Sequence, residues 1–132
     1  APIFGVDVQG CIEEWNRKAA ELTGYPKEEI RGKRLVQSLV LEECQYQVAY
    51  VLLKALGGEE SSDFEFPLIT RSGDQRNMLM NATAQRGADG EVTGVIGVGH
   101  DITEIRQMAA EQKNLADDLA RLVRSANAPI FG

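Results

Sequence analysis

At Gly57-Gly58 the spacing of apolar residues changes from three and four to two, and that change constrains the fold more than any other feature. Before it, Cys44, Val48, Val51, Leu52, Ala55 and Leu56 fall on one helical face. After it, Phe64, Phe66 and Leu68 alternate with Glu65 and Pro67, the period of a strand with one buried face. A helical stretch therefore ends at this break and a run of strands begins, as suits an α+β domain.

Each half resolves further. Ile3–Val8 ends at the turn pair Gln9-Gly10, and Cys11–Trp15 follows, so the chain opens on a hairpin. Asn16 precedes Arg17–Leu22 as a helix N-cap, its side-chain oxygen available to an orphaned backbone N–H. Gly24 ends that helix in the left-handed conformation. Pro26 starts a short helix with Glu28 and Glu29 in its first turn, and Gly32 stops it. The next helix spans Leu41–Leu56. Pro67 cannot donate to a ladder, which puts the strand Phe64–Thr70 at a sheet edge. Arg76–Gln85 carries Met78, Met80, Ala82 and Ala84 on one face, and Val92–His100 is so continuously apolar that it predicts a central strand covered on both faces. The order is strand, strand, helices, strand, strand, strand.

A last helix runs from about Ile102 to Ala126. Ile105, Met108, Gln112, Leu115, Leu119, Leu122 and Ala126 step by three and four without a break. This is the narrow heptad seam of a two-stranded coiled coil, flanked by charge. At about 1.5 Å per residue it extends some 35 Å, too far to serve only as a cap on a small sheet. Asn127-Ala128-Pro129 should end it. Beyond lies a repetition: Ala-Pro-Ile-Phe-Gly occupies both residues 1–5 and residues 128–132. The expectation is one module of a tandem array, with a domain at 1–103, a helical signalling linker at 104–126, and the start of the next repeat at 127–132. Pro129–Gly132 would then be a first strand without its domain, either unpaired or joined to a neighbour's sheet.

Composition narrows function by exclusion. The 132 residues carry a net charge of -6, which argues against a nucleic-acid surface. No apolar run is long enough to span a bilayer. Cys11 and Cys44 have neither metal-ligand spacing nor a disulfide framework, which points to a reducing, cytoplasmic compartment. Catalysis finds no constellation: there is no phosphate-cradling Gly-Lys motif, no Ser–His–Asp grouping and no paired His. The adjacent carboxylates Glu13/Glu14, Glu28/Glu29 and Glu42/Glu43 mark solvated faces and helix starts. Gly94, Gly97 and Gly99 lie within a strand rather than before a helix, so they are no dinucleotide fingerprint. The expectation is a protein that is not an enzyme.

Four local patterns in order carry a family resemblance. They are Glu14-Trp15-Asn16, Ala20-Glu21-Leu22-Thr23-Gly24-Tyr25, Glu28-Glu29-Ile30-Arg31-Gly32-Lys33, and Gly97-Val98-Gly99-His100-Asp101-Ile102-Thr103. Over about residues 1 to 103 the chain resembles the PAS domain, a sensory and dimerisation module. Pro2–Asp7, Ala20–Gly24 and Leu56–Glu60 look most like the tandem regulatory PAS repeats of plant and algal phytochromes, and similar arrays precede sensor kinases. The resemblance implies a five-stranded antiparallel sheet with helices on one face, followed here by the long coiled-coil-type linker helix. It also implies adjacent PAS repeats and an output domain such as a kinase as partners.

Against that frame, a cofactor is not expected. Flavin photochemistry in this family needs Cys within Gly-x-Asn-Cys-Arg-Phe-Leu-Gln, whereas Cys44 lies in Glu42-Glu43-Cys44-Gln45-Tyr46. Matching strands by their turns puts Met78 where the flavin-reading Asn should be and Gly99 where the Gln should be. Haem needs an axial ligand, and the sole histidine, His100, ends the last strand. Met78, Met80 and Val95 could still line a small apolar pocket, so the competing function is a small-molecule sensor. The favoured one is a relay that dimerises through the seam, with Ile96 and Val98 on the outer sheet face as a second contact surface. The resemblance assigns signal exit to Asp101 and Thr103: the Asp pairs with a base in the turn between two strands, which Arg71 matches here, and the Thr hydroxyl ties down backbone. An Asp101–Arg71 contact is therefore expected.

Overall fold

Among the described residues the chain forms five strands and five α-helices in the order β1 (Ile3–Asp7), β2 (Ile12–Trp15), α1 (Arg17–Thr23), α2 (Lys27–Ile30), α3 (Leu35–Leu39), α4 (Gln45–Leu56), β3 (Ser61–Ile69), β4 (Gln75–Arg86), β5 (Val92–Asp101) and α5 (from Thr103 onward). This is a computed structural model, and it describes residues 1–125. The helix stop expected at Asn127–Pro129, the last seam position Ala126 and the strand restart at 127–132 lie outside the described residues. Two compact units result, Ala1–Asp101 and Ile102–Gly132.

In the first unit all neighbouring strands are antiparallel, in the order β2-β1-β5-β4-β3. β3 is an edge strand, as the missing donor of Pro67 requires, and β5 is central. α4 packs across β3, β4 and β5, and the core lies between it and the sheet around Phe4, Ile12, Trp15, Leu39, Leu68 and Val95.

The entrance to α1 shows how local chemistry fixes this frame. Asn16 Oδ1 accepts the N–H of Ala19 at 2.9 Å and that of Ile3 at 3.0 Å, while its Nδ2 donates to the carbonyl of Ala1 at 2.9 Å. One side chain thus caps the helix and holds the start of β1. Trp15 lies beside Phe4, with ring centroids 5.0 Å apart, and its Nε1 donates to the carbonyl of Tyr25 at 2.9 Å. Gly24 closes α1 at φ +81°, in the left-handed region that glycine enters without strain.

Two expectations need correction. Leu41–Leu56 is not one helix: Leu35–Leu39 forms the separate α3, Val40 bridges to Leu68, Glu42–Cys44 is a 3-10 turn, and α4 begins at Gln45. The bridge to β3 holds Val40 extended, with ψ at 135°, which interrupts helical geometry. Nor is β5 covered on both faces. Val95 is 2% exposed but Val98 is 40% exposed. Gly94, Gly97 and Gly99 carry no polar side chain and so extend the apolar run, but two of them serve close strand approach rather than a second packed layer. A Cβ at Gly94 would stand 2.0 Å from the carbonyl oxygen of Val6, and one at Gly99 2.0 Å from that of Leu79.

Candidate functional site

The end of β5 is where the structure departs most from the expected contacts. Asp101 pairs with Arg76, not with Arg71: Arg76 Nε lies 2.8 Å from Asp101 Oδ2, and Nη2 reaches the same oxygen. The register explains it. Met78 of β4 stands opposite Asp101, so Arg76, two residues away on the same face, is its diagonal neighbour. Arg71 sits in the β3–β4 turn and reaches the other way. Its Nη1 lies 2.7 Å from Glu29 Oε2 in α2, and its guanidinium carbon lies 5.9 Å from the centre of the Tyr25 ring. The signal in sequence was parity: Arg76 shares it with the inward Met78 and Met80, and Arg71 precedes the strand.

These two ion pairs differ in environment. The side chains of Arg76 and Asp101 are 32% and 18% exposed, against 55% and 36% for Arg71 and Glu29. Arg76→Gln removes a charge-assisted pair from a largely covered carboxylate and is expected to cost about 2 kcal/mol. Arg71→Gln loses an exposed pair and should cost less than about 1 kcal/mol. Urea unfolding of the two variants checks this order, and equal losses would contradict it.

Thr103 is the first residue of α5, with Glu104 in the first turn favourably placed toward the positive helix end. Along α5, Ile105, Met108, Leu115, Leu119 and Leu122 are each more than half exposed, as is Val123 beside them. Gln112 is exposed in the same row.

Under α4 lies a cavity of about 40 Å³, lined among others by Phe4, Val48, Leu52, Phe66, Met80 and Val95. Met80 and Val95 fall where the sequence placed a pocket. Met78 does not line the cavity; it is fully buried elsewhere in the core. The space suits a water or two and falls far short of the roughly 300 Å³ at which pockets for drug-sized ligands begin. On the outer sheet face, Val98 faces Ile3 and Asn81 across the ladders, and Ile96 faces Gly5 and Thr83. Ile96 lies over Gly5, where a Cβ would come within 2.8 Å of its Cδ1, and is half-buried for that reason. His100 is exposed. Among the described residues there is no cluster of His, Cys, Asp and Glu fit for a metal, and no helix long and apolar enough to cross a membrane.

A five-stranded antiparallel sheet in this order, with helices on one face, is the architecture of a sensory domain. The model of the PAS fold matches residues 1–102, and the chain belongs to that family. Phytochrome B of Sorghum bicolor is 38% identical over 137 residues, covering 98% of this chain and 12% of the relative. The chain therefore spans about an eighth of the length of the curated relatives it matches. Among solved structures, the PAS domain of a protein from Colwellia psychrerythraea superposes with a TM-score of 0.69 at 24% identity, covering 78% of this chain and 86% of that one. A sensory box histidine kinase/response regulator from Burkholderia thailandensis gives 0.66 at 19% identity, covering 91% and 90%. These two likenesses concern the fold.

Proposed function

We propose that this PAS domain is a non-enzymatic relay that dimerises through α5 and passes conformational change along it to neighbouring repeats and an output domain, such as a kinase. The observation that carries the reading is the apolar row Ile105, Met108, Leu115, Leu119 and Leu122, exposed along its length at heptad spacing. Leaving five such side chains in water forgoes about 1.5–3 kcal/mol each, which a second α5 in parallel register would recover. Gln112 at a core position weakens the seam but selects its register, as suits a helix pair with two near-equal packings.

Asp101 and Arg76 are the fixed point from which the change starts. Their ion pair ties the end of β5 to β4, so movement in the sheet is delivered at the residue immediately before the second unit. Thr103 opens the helix that carries it, and Ile96 with Val98 offers a second contact face. The small size of the pocket under α4 supports relay over ligand sensing, since it leaves little room for a ligand without rearrangement.

The register is open to a direct test. In a chain with Cys11 and Cys44 replaced by Ser, Leu119→Cys is expected to form a disulfide-linked dimer on mild oxidation, because equivalent seam positions face each other in a parallel pair. Asp117→Cys, off the seam, should stay monomeric under the same conditions. Equal cross-linking at both positions would contradict the seam.

A further inference from the structure

At the end of the sheet where Asp7 pairs with Gly94, a groove of about 230 Å³ runs between the β1–β2 turn, α3 and α4. Val8, Val36, Leu53 and Leu56 give it apolar walls, and Val8 and Leu53 are 56% and 67% exposed. Its polar groups are Gln9, Gln37 and Arg34. No acidic side chain lines the groove, although the chain as a whole carries a net charge of -6. Arg34 forms no ion pair among the described residues. An apolar trough whose single charge is an unneutralised cation is complementary to one kind of small molecule, an alkyl chain ending in a carboxylate.

We propose that this groove binds a small amphipathic anion of the alkyl carboxylate class. The carboxylate is taken by the Arg34 guanidinium, whose planar fork matches two carboxylate oxygens, and the amides of Gln9 and Gln37 are available to donate beside it. The alkyl chain lies against Val8, Leu53 and Leu56 and removes their exposed surface from water. Leu52 gives the site a consequence. It lines both the groove and the 40 Å³ pocket under α4, whose far wall includes Met80 and Val95 of the sheet. A chain settling in the groove presses on Leu52, and Leu52 transmits the change to the core.

The test is an NMR titration of the labelled protein with octanoate, octylammonium and octanol, each below its aggregation threshold. Octanoate is expected to give saturable shifts at Val8, Gln9, Arg34 and Leu53, with affinity about tenfold above that of the other two ligands. Arg34→Gln should bring octanoate down to the octanol level and leave octanol unchanged. Leu53→Ser should weaken both. Each variant alters an exposed side chain, so the fold can be verified from the unaffected spectrum. Octylammonium binding as well as octanoate, octanoate indifferent to Arg34→Gln, or the absence of saturable shifts at the groove would overturn the site. A Met80 methyl signal that moves on saturation supports the Leu52 route, and one that stays fixed overturns that route.

Discussion

Gly99→Ala should lose about 3 kcal/mol or more of folding stability, read as a lowered midpoint in urea, although it adds one methyl to a strand interior. The added Cβ would lie 2.0 Å from the carbonyl oxygen of Leu79, 2.5 Å from Met80 Sδ and 2.8 Å from Met80 Cα. Two of these atoms are backbone in the paired strand and cannot move unless the β4–β5 ladder opens. A domain of this size has about 5–15 kcal/mol in total, so much of its margin would go. Gly97→Ala is the control. Its Cβ would meet Met80 Cε at 3.2 Å, the free end of a flexible side chain, with the next neighbour at 3.6 Å. That change should cost less than about 1.5 kcal/mol, because methionine can rotate away. Equal losses in the two variants would show that close strand approach at Gly99 is not what the glycine provides.

Backbone chemistry made much of the sheet legible. The missing donor of Pro67 placed β3 at the edge before any pairing was known, and Asn16 and Gly24 bounded α1 through cap geometry that depends on a few neighbouring residues. What stayed hidden depends on contacts distant in sequence. The five residues of α3 are too few to display a period, and the bridge from Val40 to Leu68 with the 3-10 turn Glu42–Cys44 separates α3 from α4. The partner of Asp101 follows from the register opposite Met78, 23 positions away, and a turn residue such as Arg71 looks equally suitable until the ladder is drawn. The glycines of β5 read only as strand residues that make no dinucleotide fingerprint, whereas two of them let backbones meet. The Arg34 groove is assembled from the β1–β2 turn, α3 and α4, and no contiguous stretch of sequence spells it. The apolar row of α5 is the opposite case, since its period lies within one helix and the residues that carry it are exposed along that helix.

The second large effect concerns that helix. Leu115→Asp combined with Leu119→Asp replaces two adjacent seam layers, so a dimer loses four leucines and gains four carboxylates. Each leucine is worth about 1.5–3 kcal/mol when buried, and facing carboxylates repel. The combined penalty weakens association by more than about a thousandfold, at 1.4 kcal/mol per factor of ten. Both residues are exposed within the single chain, so the substitutions leave the 1–101 unit intact. Sedimentation equilibrium at micromolar concentration is the decisive measurement. The unmodified chain should give twice its 14.5 kDa mass and the double variant 14.5 kDa. A variant that sediments as the same dimer would remove α5 from the interface and contradict the relay built on it.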